Sequence, residues 1–104
     1  MFFSEEEKMI MSPLFMAMEK NHNEEYQLIL KDGSILQAIV NTTYETDSGE
    51  EDDPNYEEFF VCLMQVTKVI ENGPDSDYKK GQLIEVTYKN YPLEIRTSSG
   101  ALVK

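Results

Sequence analysis

Tryptophan is absent from the chain, cysteine and histidine occur once each, and nine basic side chains stand against twenty acidic ones. Each scarcity excludes something. A single thiol, Cys62, cannot close an intrachain disulfide, and its place inside the apolar run FFVCLMQV (59–66) reads as a small buried hydrophobe. Buried there, it is out of reach as a nucleophile. The one histidine, His22, lies in the polar stretch KNHNEE and reads as a cation near a helix C-terminus rather than as a catalytic base. One cysteine and one histidine do not make a zinc site. The glycines at 33, 49, 73, 81 and 100 fall singly in turns, so no phosphate-cradling loop is present. No apolar run approaches the length of a bilayer span, and the start MFFSEEEKMIM has neither the basic head nor the apolar centre of a secretion signal. These absences predict a cytoplasmic, non-enzymatic protein without a cofactor or bound metal.

What is present is an acidic globular chain. At 104 residues, 40% hydrophobic and 28% charged, it is the size of one domain (1–104). A chain of that size buries roughly 65% of its unfolded surface, enough for one core without staples. The net charge of −11 is concentrated: eight of the twenty acids, and no base, fall between residues 45 and 58. A net-acidic body repels phosphate backbones, which argues against sequence-independent nucleic-acid binding. It points instead to a basic protein as partner.

Ser4 and Glu7 have the spacing of a capping box, and Ser12 followed by Pro13 restarts the helix signal. The pattern predicts a helical segment over 1–22, broken near Pro13. Its methionines (1, 9, 11, 16, 18) and Phe15 suggest either a helix packed on its own sheet or an adaptable helix face that contacts a protein partner, with Phe2 and Phe3 free to meet a neighbouring subunit of a homo-oligomer. From Tyr26 the period changes to two. Asp32-Gly33 marks a hairpin, and a three-residue loop of Asp32, Gly33 and Ser34 would set Leu30 opposite Leu36 and Leu28 opposite Ala38. Residues 59–70 read as one long strand with Phe60, Cys62, Met64, Val66 and Ile70 on one face. Phe59, Val61 and Leu63 make the start of its other face apolar, and the helix is expected to cover them. After a loop over 71–81, Ile84, Val86 and Tyr88, then Leu93 and Ile95, alternate inward, with a last short strand at ALVK. The expected class is mainly β (α+β): a small, strongly bent antiparallel barrel of five to six strands over 26–104, carrying an acidic loop at 45–58 and the helical segment at 1–22.

With Lys31, Asp32 and Gly33 at a first hairpin and Ile95-Arg96 before a final turn, the order of elements resembles the Sm-like barrel, a small fold of the SH3 kind. Thr97 stands where that family has glycine. The resemblance implies a ring of subunits that binds single-stranded RNA, with Tyr44 stacking on a base and Arg96 stacking or pairing with one.

The acidic stretch YETDSGEEDDPNYEE (44–58) is the main functional candidate. Its carboxylates are hard oxygen ligands, but the spacing of a calcium loop is absent and successive acids in an extended chain diverge. A solvated loop joining two strands is the simplest reading. Its functional version is a surface for a basic protein, with Tyr44 and Tyr56 as anchors and Glu50, Glu51, Asp52 and Asp53 setting the encounter. A narrower version is an acidic decoy that fills a nucleic-acid site on a basic protein.

Overall fold

The structure, a computed structural model, describes residues 2–21, 23–50 and 52–103; the expectations for Met1, His22 and Glu51 lie outside them. Helix α1 spans Glu5–Lys20, followed by strands β1 (Glu25–Ile29), β2 (Ile35–Asp47), β3 (Glu58–Glu71), β4 (Leu83–Val86) and β5 (Glu94–Arg96). The strands form one antiparallel sheet in the order β4-β3-β2-β1-β5. This is the mainly β class with an N-terminal helix, but the sheet is not closed: β4 and β5 are its two edges. Between them, residues 87–93 bury Tyr91 and Pro92. A proline has no N–H to give a ladder, so this segment fills space where a barrel would pair backbone.

Helix α1 begins as the capping box requires, Ser4 Oγ accepting from the Glu7 N–H at 3.1 Å. It does not break at Pro13. The missing N–H costs one intrahelical bond, while Met11 and Leu14, on either side of the proline, are both fully buried against the sheet. Burial of that shared face holds the helix in one piece. Met9 and Met16 point outward. The face it covers is the one bearing Phe60, Cys62 and Met64, not the Phe59, Val61 and Leu63 face expected from the sequence. Phe59 instead packs edge-on against Tyr88. Phe2 and Phe3 pack on their own chain: Phe2 lies 5.3 Å from Phe15 and Phe3 5.1 Å from Phe60, ring centre to ring centre.

The β1–β2 hairpin keeps the expected face but shifts register. Leu28 stands opposite Leu36 and Tyr26 opposite Ala38. The three-residue loop is Lys31, Asp32 and Gly33, closed by Gly33 N–H to Leu30 O and Leu30 N–H to Ser34 O. Gly33 takes a left-handed φ of 91° at the last loop position, where such turns need glycine. Because the shift is even, the inward set survives. Asp32 locks the turn by accepting from the Ser34 N–H and from the Ser76 hydroxyl, and these bonds hold its carboxyl below the usual range.

Bulges correct the alternation further along. Thr67 is an extra residue on β3, so Val69, not Ile70, stands opposite Leu36, and Ile70 is exposed. Leu93 is also exposed rather than inward, its place taken by Tyr91. Of the expected ALVK strand, Lys104 lies outside the described residues, and residues 101–103 make only a bridge between Arg96 and Leu102. The tight turn over residues 97–101 lays this segment along β5, with the Val103 N–H donated to Ile95 O.

Glu7 links the helix to the sheet. Its side chain is fully buried, Oε1 accepting from the Phe3 N–H (3.0 Å) and Oε2 from the Phe60 N–H (2.7 Å). Both oxygens act as acceptors, so Glu7→Gln places an amide NH₂ against one of two backbone donors. We expect Glu7→Gln to lose nearly as much stability as Glu7→Ala, about 2–4 kcal/mol by denaturant titration, the cost of orphaned amides. A benign Gln variant would refute the role. Gly73 is the other tight point: its N–H donates to the buried Ser34 Oγ, and a Cβ there would stand 2.1 Å from the Asp32 carbonyl oxygen. Gly73→Ala is expected to cost about 1–3 kcal/mol as overpacking does, read as a fall in melting temperature.

Candidate functional site

Strands β2 and β3 outrun their neighbours. β1 pairs with β2 only through Ile39, and β4 pairs with β3 only from Cys62 to Gln65. Asn41, an extra residue between Val40 and Thr42, bends β2 away at the point where β1 ends. Beyond it, residues 42–47 pair with residues 58–63, and from Tyr44 and Val61 outward the two strands stand alone as a ribbon. The acidic segment is thus shorter as a loop than its composition suggests: Glu45, Asp47 and Glu58 are strand residues, and the connection is residues 48–57.

That connection is held by its own hydrogen bonds. Ser48 N–H donates to Glu57 O, and the Glu57 N–H returns a bond to Ser48 Oγ. Asp53 N–H donates to Glu50 O and Tyr56 N–H to Asp53 O, while Asp53 Oδ1 accepts from the Asn55 N–H at 2.8 Å. Glu50, Asp52 and Asp53 remain exposed. The two tyrosines have separate partners. Tyr44 lies opposite Val61 and donates its hydroxyl to Glu85 across β3, whereas Tyr56 donates to Glu58. Glu50, Asp52, Asp53 and Tyr56 therefore gather at the tip, and Tyr44 sits on the ribbon below them.

Sequence reasoning missed the anchor of this ribbon. Glu57 accepts from the Tyr88 hydroxyl and pairs with Lys89 Nζ at 3.2 Å; Lys89 in turn lies 5.4 Å above the Phe59 ring. The bond from Tyr88, with Lys89 behind it, keeps the Glu57 carboxyl below the usual range. The same bond pushes the Tyr88 phenol up to about 12. Tyr56, Glu57, Glu58 and Tyr88 line a recess of about 430 Å³ with Phe3, Ser4 and Glu6 from the head of α1. It is polar, aromatic and acid-rimmed, a shape and charge that suit a lysine or arginine side chain.

Burial disfavours the charged forms of the core thiol and phenols. Burial raises Cys62 to about 12, against Met18 Sδ at 3.9 Å, and raises Tyr26 and Tyr91 to about 12 as well. Among the described residues no cluster of three or more metal-ligating side chains forms, and no helix is long and apolar enough to cross a membrane.

The Glu57 anchor has a pH window. A carboxyl depressed in the fold contributes above its unfolded value of 4.5 and is lost as pH falls through its folded value; a phenol raised to about 12 loses its contribution as pH climbs from 10. Tyr88→Phe should therefore move the Glu57 carboxyl titration upward by NMR and speed amide exchange at Ser48 and Glu57. An unmoved titration would show that Tyr88 does not hold Glu57.

The structure does not bring the RNA pair together. Tyr44 stands on β2 past the end of β1, while Arg96 lies on β5, opposite Gln27, with its guanidinium bound to Glu94 and to Gly100 O. No curated protein and no solved structure matches the chain significantly. The family model that does match is not Sm-like, which overturns that resemblance. It is the model described as cognate immunity protein YxxD, it spans residues 9–104, and the chain belongs to that family.

Proposed function

We propose that this chain is the immunity partner of a protein toxin and silences it by binding, without chemistry of its own, through the acidic β2–β3 ribbon and its tip. A family of cognate immunity proteins implies one dedicated protein partner, and the segregated charge says what surface that partner offers. Membership over residues 9–104 is the observation that carries the reading. Eight like charges between 45 and 58 give the tip a field that accelerates encounter with a basic patch, and the tyrosines provide contact area once charge has aligned the two proteins. Tyr44, Glu50, Glu51, Asp52, Asp53 and Tyr56 are the contact residues of this reading. The recess beside Tyr56 and Glu58 receives a basic side chain of the toxin. The narrower form, in which the ribbon occupies the toxin's own nucleic-acid site, would show as competition between this protein and a short oligonucleotide for the toxin.

Replacing Glu50, Asp52 and Asp53 by their amides removes charge where no core contact depends on it. The variant is expected to melt like the parent, to associate with the cognate toxin about 10–100-fold more slowly at low salt, and to lose most of the parent's salt dependence. Unchanged association and unchanged protection of toxin-expressing cells would place the contact elsewhere.

A further inference from the structure

The hydrogen-bond parity of the ribbon identifies a row of backbone groups that, among the described residues, face no neighbouring strand. Phe60 turns its N–H away from β2 to Glu7, and Phe60 stands opposite Glu45. In an antiparallel pair this makes Glu45–Phe60 a non-hydrogen-bonded position, so Glu45 directs its own N–H and C=O to the opposite side of β2. Ser48 gives the same parity independently, since its N–H goes to Glu57 across the ribbon. Thr43, Glu45 and Asp47 therefore present their backbone groups on the edge that β1 has left. Thr43 O accepts from the Thr42 hydroxyl at 3.5 Å.

Other edges carry partners at several points. Glu7 takes the N–H of Phe60 where β3 runs past β4; the Asn90 side chain donates to Glu85 O on β4; residues 101–103 fold along β5. Among the described residues, the distal edge of β2 is the long one left open, and Thr42, Thr43, Tyr44 and Glu45 are all exposed there. Open edges of this kind take up another strand.

We propose that this edge receives an extended strand of the toxin that carries lysine or arginine on alternate residues, adding a third strand to the ribbon beside Thr43, Glu45 and Asp47. The inference rests on the toxin-binding reading and adds the mode of binding. Charge selects the occupant. Glu45 and Asp47 share one face two residues apart, so two alternate side chains of the incoming strand lie beside carboxylates and a third lies beside Thr43. A second copy of this chain is disfavoured at the same edge, because antiparallel self-pairing centred on Thr46 sets Glu45 of each copy against Asp47 of the other.

Amide hydrogen exchange on the free protein and on its complex with the cognate toxin tests this by parity. The amides of Thr43, Glu45 and Asp47 should slow about tenfold or more on binding, while those of Tyr44 and Thr46, already in the β3 ladder, change little. Glu45→Pro removes one edge donor without removing a ladder bond. It should weaken toxin binding about tenfold beyond Glu45→Gln, which removes the charge alone. Uniform protection of residues 42–47, or none in a complex that forms, overturns strand addition and leaves the toxin-binding reading intact. Failure to form any complex overturns both. Alternate protection that arises in the protein alone, with a doubled mass by light scattering, overturns the choice of toxin as occupant. If Glu45→Pro does not fold, the parent's exchange pattern decides.

Discussion

A two-stranded ribbon is marginal by itself in water, and a buried carboxylate holds this one to the rest of the protein. Glu7 reaches the Phe60 amide midway along the ribbon and keeps a second oxygen on the Phe3 amide, so the head of the helix and the start of β3 are fixed by one side chain. Phe2, Phe3 and Phe15 then close around the Phe60 ring on the same face. Removing water from those rings contributes the energy, at about 25 cal/mol per Å² of apolar surface. The carboxylate contributes direction. It ties one chosen amide of β3 to the helix, in the same parity that the Ser48–Glu57 bond sets at the tip.

The acidic tip is tolerated because its charges are divided between two environments. Glu57 and Glu58 are tied back by Tyr88, Lys89 and Tyr56 at the base of the connection, whereas Glu50, Asp52 and Asp53 stand in solvent. Exposed like charges repel weakly at short range in water, by about 1 kcal/mol per pair at 4 Å, and salt attenuates this over about 8–10 Å. That is small beside the burial of the core, so the fold bears the charge while the surface displays it.

The sequence allowed most of the elements to be read, because alternation and capping are local. Ser4 and Glu7 located the helix start, and the parity of Tyr26, Leu28, Leu36 and Ala38 survived an error in the loop because the slip was even. What failed was non-local. The bulge at Thr67 exchanges Val69 for Ile70, and whether an extra residue is inserted depends on the partner strand. The continuity of the helix through Pro13 depends on the surface beneath it. Glu57 was one acid among eight in the sequence; only Tyr88 and Lys89, three decades along the chain, single it out. The Sm-like resemblance failed for a related reason: a Lys-Asp-Gly turn reports the geometry of a hairpin, which unrelated sheets share, and says nothing about what the sheet binds.

The same carboxylates bear on two problems that are usually treated separately. An open strand edge is a hazard, since any extended segment can pair with it, and proteins commonly guard such edges with charge. Here the guard is of one sign. Glu45 and Asp47 on the strand, with the acidic tip beyond, oppose a second copy of the edge and oppose neutral strands by the cost of desolvating carboxylates against apolar side chains. Only a strand that brings compensating positive charge recovers that cost, and each such pairing reverses the sign of the Coulomb contribution rather than merely removing a penalty. On the proposed mode of binding, protection against self-association and choice of partner become one physical property of the edge. This also accounts for why the acidity is local: spread over the whole surface, twenty carboxylates would repel every copy equally and select nothing in particular.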